Sequence, residues 1–82
     1  MKFIMYVKNE CSFCIQAVEE LTERDIDFDV FFLDHREDTW FDLKKIYDWQ
    51  TVPMIFEVIE DRTYKLIGGY TDLIERLGAE DI

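Results

Sequence analysis

Two cysteines, Cys11 and Cys14, mark the place where a short apolar run meets a segment with helical periodicity. The run before them, Phe3 to Val7, predicts a strand, and the segment after them predicts a helix. A thiol at a helix start lies beside unpaired backbone N–H groups and the positive end of the helix dipole, which favour thiolate over thiol. With two residues between the cysteines, one sulfur can reach the other. The pattern predicts a redox site, with Cys11 attacking and Cys14 resolving in thiol-disulfide exchange.

Other roles for this pair fit the sequence less well. The two cysteines could be small buried apolar residues, which is a frequent role for cysteine. A closed zinc site needs four ligands, but the chain contains only two Cys and one His. The histidine, His35, lies in a predicted loop. A purely structural disulfide is disfavoured because small secreted scaffolds are usually rich in cysteine and the N-terminus does not resemble a signal peptide.

Composition limits the class of protein. The 82 residues predict a single domain over 1–82, and a hydrophobic content of 49% with 16% aromatic residues argues against disorder. A net charge of -10 argues against nucleic-acid binding, since phosphates would be repelled. No apolar stretch approaches the roughly 20 residues that cross a bilayer. We therefore expect a cytoplasmic protein that contacts neither membrane nor nucleic acid, and we take a monomer as the default oligomeric state.

Periodicity predicts seven elements in the order βαβαββα. Runs of apolar, β-branched and aromatic residues predict strands, and stripes at helical spacing predict helices. The first strand is apolar on both faces, which indicates a central position in the sheet. A helix between two strands predicts a parallel pair with a right-handed crossover, and the last two strands read as an antiparallel hairpin. We therefore expect an α/β fold, a four-stranded mixed sheet with helices on both faces. The predicted bounds are strands Phe3 to Val7, Phe28 to Leu33, Met54 to Ile59 and Thr63 to Ile67, helices Ser12 to Arg24 and Thr39 to Asp48, and a last helix with Leu73, Ile74 and Leu77, stopped by Gly78.

Three motifs occur in the order and spacing of glutaredoxins. They are Lys8-x-x-Cys11-x-x-Cys14, Thr51-Val52-Pro53-x-Ile55-Phe56 and Gly68-Gly69-Tyr70-Thr71-Asp72-Leu73. Each motif is weak alone, but together with the βαβαββα order they are specific. The chain resembles a small dithiol glutaredoxin from end to end.

The resemblance implies a thioredoxin-like fold and an oxidoreductase that reduces protein disulfides and glutathione mixed disulfides with electrons from glutathione. Such a protein serves electron transport and cell redox homeostasis, with partners such as ribonucleotide reductase. Cys11 would become glutathionylated and Cys14 would resolve protein disulfides. A cis Val52-Pro53 bond would let the Val52 backbone pair with that of the glutathione cysteine. The residues expected to contact glutathione are Lys8, Phe13, Thr51, Val52, Pro53, Gly69, Tyr70, Thr71 and Asp72.

Several of these residues also have an ordinary structural interpretation. Thr71 and Asp72 would serve as helix caps, Asp72 forming a capping box with Glu75. They would also serve the glutamyl carboxylate and amine of glutathione. Lys8 would be a surface lysine, or an anchor for the glycyl carboxylate. Asp38 or Thr39 would cap the second helix.

The chain departs from the common family pattern between the cysteines, where Ser12 and Phe13 stand in place of Pro and Tyr. Some relatives without that Pro hold a [2Fe-2S] cluster between two subunits, so a cluster-binding dimer is one alternative; otherwise we expect no metal. A redoxin reduced by thioredoxin reductase that serves ribonucleotide reductase is a second, and a redox-inert adaptor is a third. The last hairpin, Met54 to Ile67, is longer than in many compact relatives, and Glu57, Glu60 and Asp61 are expected near its tip, which either contacts a protein partner or has no role.

Overall fold

The computed structural model describes residues 1–80 and has the predicted order of elements. The prediction of one domain over 1–82 includes two residues, 81 and 82, that lie outside this range. Element ends differ from the predicted ones by a residue or two, as is usual for boundaries read from periodicity. The elements are β1 (Lys2–Val7), α1 (Ser12–Glu23), β2 (Asp27–Phe32), α2 (Glu37–Tyr47), β3 (Met54–Glu60), β4 (Thr63–Gly68) and α3 (Tyr70–Glu80).

The four strands form one mixed sheet in the order β2-β1-β3-β4. β1 pairs in parallel with β2, with Val7 opposite Phe32, and antiparallel with β3, with Met5 opposite Ile55. β3 and β4 form the antiparallel hairpin. The strand that is apolar on both faces is therefore central, as predicted. The cysteines follow its carboxyl end along the chain.

One face of the sheet is covered by α1 and α3. Inward-facing residues of β1 and β3 meet the apolar stripes of the two helices, because a strand presents alternate residues and a helix every third or fourth to the same side. This core is fully closed from solvent. Its members are Phe3, Met5, Val7, Cys14, Ala17, Leu21, Ile55, Leu73 and Leu77.

The opposite face carries aromatic rings and α2. Tyr6 stacks on Phe31 with ring centres 5.5 Å apart, and Phe56 meets Tyr6 and Tyr47 edge-on at 6.0 Å and 4.9 Å. Burial, followed by the nearby phenols of Tyr47 and Tyr64, raises the pKa of Tyr6. Helices thus lie on both faces as expected. Yet none of the side chains of α2, all within the described range, is buried.

Two helix ends differ from the prediction. α2 begins at Glu37 with Arg36 as N-cap and no side-chain hydrogen bond to the cap, so Asp38 and Thr39 lie inside the helix and do not cap it. Asp38 acts instead as an acidic residue in the first turn, where it complements the helix dipole. α3 continues through Gly78, which was expected to stop it, because a glycine costs a helix only about 1 kcal/mol.

Glu57 lies in the middle of β3 and not near the hairpin tip, which corrects the sequence prediction. Its carboxylate is almost fully buried and forms a two-point ion pair with the Arg76 guanidinium, both N–O distances being 2.8 Å. The pair fixes α3 against β3. Glu60 and Asp61 are exposed at the hairpin end. In residues 1–80 no helix combines the length and apolarity that crossing a membrane would need.

Candidate active site

Cys11 and Cys14 form a disulfide at the start of α1, with their Cα atoms 5.2 Å apart. Cys11 is the N-cap residue, and its Sγ accepts a hydrogen bond from the Cys14 backbone N–H at 3.2 Å. Cys14 is buried in the core, whereas Cys11 is only partly buried. Of the two cysteines, Cys11 is therefore the more accessible to an incoming sulfur, and the order of attack and resolution stays a prediction.

The loop before β3 lies directly against this disulfide. The Val52-Pro53 peptide bond is cis, as the resemblance implied. The Val52 carbonyl oxygen is 3.9 Å from Cys11 Sγ. The loop thus places a backbone carbonyl next to the sulfur expected to react.

A groove of about 310 Å³ extends from this loop to the start of α3. We call it the cis-proline groove. Phe13 and Tyr70 line it with ring centres 6.1 Å apart, so both aromatic residues serve as walls of the groove. Its lining residues are Phe13, Trp49, Thr51, Val52, Pro53, Gly69, Tyr70, Thr71 and Asp72. Eight of the nine residues expected to contact glutathione are therefore side by side.

Asp72 lies in the first turn of α3 and is not its N-cap. Its Oδ2 accepts a hydrogen bond from the Gly69 backbone N–H at 2.9 Å, so it reaches back across the helix start as the third helical residue of a capping box does. In the predicted capping box, Asp72 is the cap and Glu75 is its partner. Asp72 is instead the partner, so the predicted capping box is wrong by three residues along the chain. The helix start still combines backbone N–H groups, which suit an anion, with a carboxylate, which suits a cation.

Lys8 is the expected contact that the groove does not contain. It lines a different pocket, together with Glu10 and Cys14. Its Nζ lies 5.3 Å from the centre of the Trp40 ring, which also has Lys44 Nζ at 5.1 Å. In this structure the ammonium of Lys8 is held by a cation-π contact and not directed into the groove.

Trp49 is a groove residue that the sequence analysis missed. It follows Asp48, the left-handed C-cap of α2, which turns the chain towards the cis-proline loop. Its indole Nε1 is buried and forms no hydrogen bond within residues 1–80. The sequence did contain a signal for Trp49. It is an aromatic residue just before the Thr51-Val52-Pro53 motif, and a side chain there must lie near the loop.

The same range, residues 1–80, contains no group of three or more His, Cys, Asp or Glu side chains placed to hold a metal ion. His35 lies at a positive φ in the turn after β2, apart from the cysteines. These residues therefore form no zinc site of the kind considered from sequence.

Comparison with known proteins agrees with this geometry. The family model described as Glutaredoxin matches residues 3–62. Among solved structures, glutaredoxin 1 from Francisella tularensis, complexed with cacodylate, superposes with a TM-score of 0.71. It is 23% identical, and the match covers 95% of this chain and 93% of that one, which shows a shared fold. A search of curated proteins found no match.

The family match covers most of the chain, including both cysteines and the cis-proline loop. The fold and the accessible disulfide at a helix start are independent of that match and agree with it. The chain therefore belongs to the glutaredoxin family of thiol-disulfide oxidoreductases.

Proposed function

We propose that this protein reduces protein disulfides and glutathione mixed disulfides with electrons from glutathione, through Cys11 as nucleophile and Cys14 as resolving thiol. The observation that carries the proposal is the cis-proline groove, which runs from the start of α3 to Val52, whose carbonyl oxygen lies 3.9 Å from Cys11 Sγ. Disulfide-containing proteins, such as ribonucleotide reductase, are the proposed acceptors.

The groove suits a short peptide that carries charge at one end. The Val52 backbone lies beside Cys11 and is available to pair with the peptide backbone of a ligand joined to that sulfur. At the far end, backbone N–H groups at the start of α3 would bind a carboxylate of the ligand, and the Asp72 carboxylate, which accepts the Gly69 N–H, would bind its amine. Glutathione carries both groups on its glutamyl residue. A role of Lys8 at the glycyl carboxylate requires its ammonium to leave the Trp40 ring.

The chemistry follows from which sulfur is exposed. With a protein disulfide, the Cys11 thiolate bonds to one sulfur, the protein S–S bond breaks, and the leaving thiolate takes a proton. Cys14 then attacks Cys11 Sγ, which forms the disulfide seen here and releases the second protein thiol. Two glutathione molecules restore the dithiol and leave as glutathione disulfide. Two electrons pass in each half-reaction, first to the substrate disulfide and then from glutathione to the disulfide of Cys11 and Cys14.

With a glutathione mixed disulfide, Cys11 takes the glutathionyl group and the other thiol leaves. A second glutathione thiolate then attacks the glutathione sulfur, which breaks its bond to Cys11, releases glutathione disulfide and restores the Cys11 thiolate, so Cys14 is not needed. This route distinguishes the roles of the two cysteines, because it needs Cys11 and does not need Cys14. We expect Cys11→Ser to abolish reduction of the mixed disulfide of glutathione and 2-mercaptoethanol, coupled to glutathione reductase, and Cys14→Ser to retain it. No turnover by the wild type would refute glutathione as donor.

The groove end is tested by Asp72→Asn against Glu75→Gln. Asn keeps an oxygen that can accept the Gly69 N–H but loses the charge offered to the glutamyl amine. We expect about a tenfold higher KM for glutathione, the size of a lost charged hydrogen bond. Glu75 is exposed on the same helix, so its variant controls for the loss of one negative charge. Equal KM values in both variants would remove Asp72 from the proposed site.

A further inference from the structure

A second pocket lies on the other side of the disulfide from the cis-proline groove. It occupies about 330 Å³ between α1 and β2, and none of its lining residues also lines the groove. Its floor and walls are mostly apolar, from Cys14, Ile15, Val18, Val30 and Phe32. We call it the Ile15 pocket. Its volume lies within the range of about 300 to 1,000 Å³ that ligand pockets occupy.

The pocket exists because the apolar row of β2 extends beyond the cover of α1. Phe28 and Val30 face α1 and pack against the core, but Phe32, the last residue of the row, is 55% exposed. Across from it, Ile15 is 56% exposed in the first turn of α1. Single exposed apolar residues are common at protein surfaces. Here two large ones share a concave pocket whose wall includes Cys14, and a concave, mostly apolar lining is the usual character of a ligand site.

The rim of the pocket is negatively charged. Glu10 and Glu19 line it and are exposed. Among residues 1–80, Lys8 is the one cation that lines the pocket, and its ammonium lies over the Trp40 ring. The whole chain carries a net charge of -10. A ligand with Lys or Arg beside its apolar group therefore complements this pocket, whereas a second copy of the chain would be repelled.

We propose that the Ile15 pocket binds a large apolar side chain, flanked by Lys or Arg, of the protein disulfide that Cys11 attacks. The inference rests on the proposed dithiol reduction of proteins and adds the substrate class. A protein segment joined to Cys11 Sγ lies next to the pocket, because Cys14, bonded to Cys11, forms part of its wall. The pocket forms no covalent bond. It holds the substrate while the two electrons pass from the dithiol to the substrate disulfide.

The test uses two synthetic peptides with one intramolecular disulfide and two lysines each, which differ only by Leu or Ser beside the reactive cysteine. Chemically reduced protein reacts with each peptide in a single turnover without glutathione, followed by mass spectrometry of the products. We expect the Leu peptide to react about tenfold faster, the discrimination that one apolar contact supplies. Equal rates for the two peptides would overturn the proposal.

Substitutions then test which residues cause the faster reaction of the Leu peptide. Ile15→Ser and, independently, Phe32→Ser should each remove most of the advantage of the Leu peptide while leaving the Ser peptide unchanged. Ile46→Ser is the matched control, since Ile46 is 70% exposed on α2 and lines none of the pocket. Retention of the advantage in both pocket variants, or its loss in Ile46→Ser, would place the preference elsewhere and overturn the proposal. A Leu peptide with glutamates in place of the lysines should react more slowly; equal rates would remove the charge component.

The glutathione mixed-disulfide assay, run on the same variants, separates this inference from the proposed function. Unchanged turnover of the glutathione mixed disulfide by Ile15→Ser supports a pocket role. If turnover of the mixed disulfide falls as much as the rate with the Leu peptide, Ile15 supports the disulfide itself and the inference is overturned. A wild type that distinguishes the peptides but shows no glutathione-driven turnover would refute the glutathione donor alone.

Discussion

Cys11 has two structural roles, as the N-cap of α1 and as the less buried half of the disulfide. Serine, threonine or aspartate usually caps a helix, with an oxygen as acceptor. Here a sulfur accepts the Cys14 N–H instead. A thiolate is a better acceptor than a thiol, so the helix start that binds Cys11 Sγ also favours its reactive form.

This geometry predicts the pH dependence of thiol reactivity. In Cys14→Ser, where Cys11 is the only thiol, the midpoint of iodoacetamide alkylation against pH should lie below about 8.5, the value of an unperturbed cysteine. The sign follows because helix-start N–H groups stabilise the charged form, so less alkali is needed to reach it. The same protein unfolded in denaturant is the control and should titrate near about 8.5. Equal midpoints in both states would contradict a role of the cap.

At the scale of elements, the junction between β4 and α3 determines where the groove ends. Gly68, the last residue of β4, has a φ of 125°, a conformation that residues with a side chain rarely adopt. A Cβ atom there would collide with the carboxylate of Asp72, which accepts the Gly69 N–H. Glycine at this position thus permits both the turn and the capping of α3.

Gly68→Ala should therefore destabilise the protein by about 1 to 3 kcal/mol, the cost of a strained backbone. Gly78→Ala is the matched control on α3, since within residues 1–80 the added Cβ meets no atom closer than 4 Å apart from its chain neighbours and the backbone of its own helix. There alanine should stabilise by about 0.5 to 1 kcal/mol, because helices prefer it to glycine. Urea unfolding of the three proteins measures both changes. A neutral Gly68→Ala would contradict both the backbone strain at this φ and the collision with the carboxylate of Asp72.

Element identity followed from the sequence more reliably than helix ends did. Strand and helix periods identified every element, because burial imposes them over many residues. A helix start depends on a few local contacts. The sequence offered Asp38 and Thr39 as caps, but α2 begins at Glu37 without a side-chain cap. Gly78 read as a stop, but its backbone remains helical and needs no left-handed turn.

At the scale of the whole molecule, the site was predictable where family motifs define it and not where distant segments meet. The cis-proline loop and the start of α3 were recognised from their motifs. The Glu57–Arg76 ion pair joins residues 19 apart in sequence, and the cation-π contact of Lys8 depends on where α2 packs. Trp49 likewise enters the groove only through the turn after α2. Such contacts depend on register and helix placement, which no local pattern specifies.

The charge of the whole molecule leads to a prediction about encounter rates. A chain with a net charge of -10 repels anionic glutathione disulfide at long range, and salt screens that repulsion. Oxidation of the reduced protein by glutathione disulfide should therefore become on the order of two- to threefold faster as salt rises from about 0.01 M to 0.15 M, where the screening length falls from about 30 Å to 8 Å. Stopped-flow tryptophan fluorescence is the measurement. Neutral hydroxyethyl disulfide should show little change and cationic cystamine the opposite trend, because the sign of the salt effect follows the charge of the oxidant. A rate with glutathione disulfide that falls with salt would show that local cations such as Lys8 govern the encounter and not the net charge.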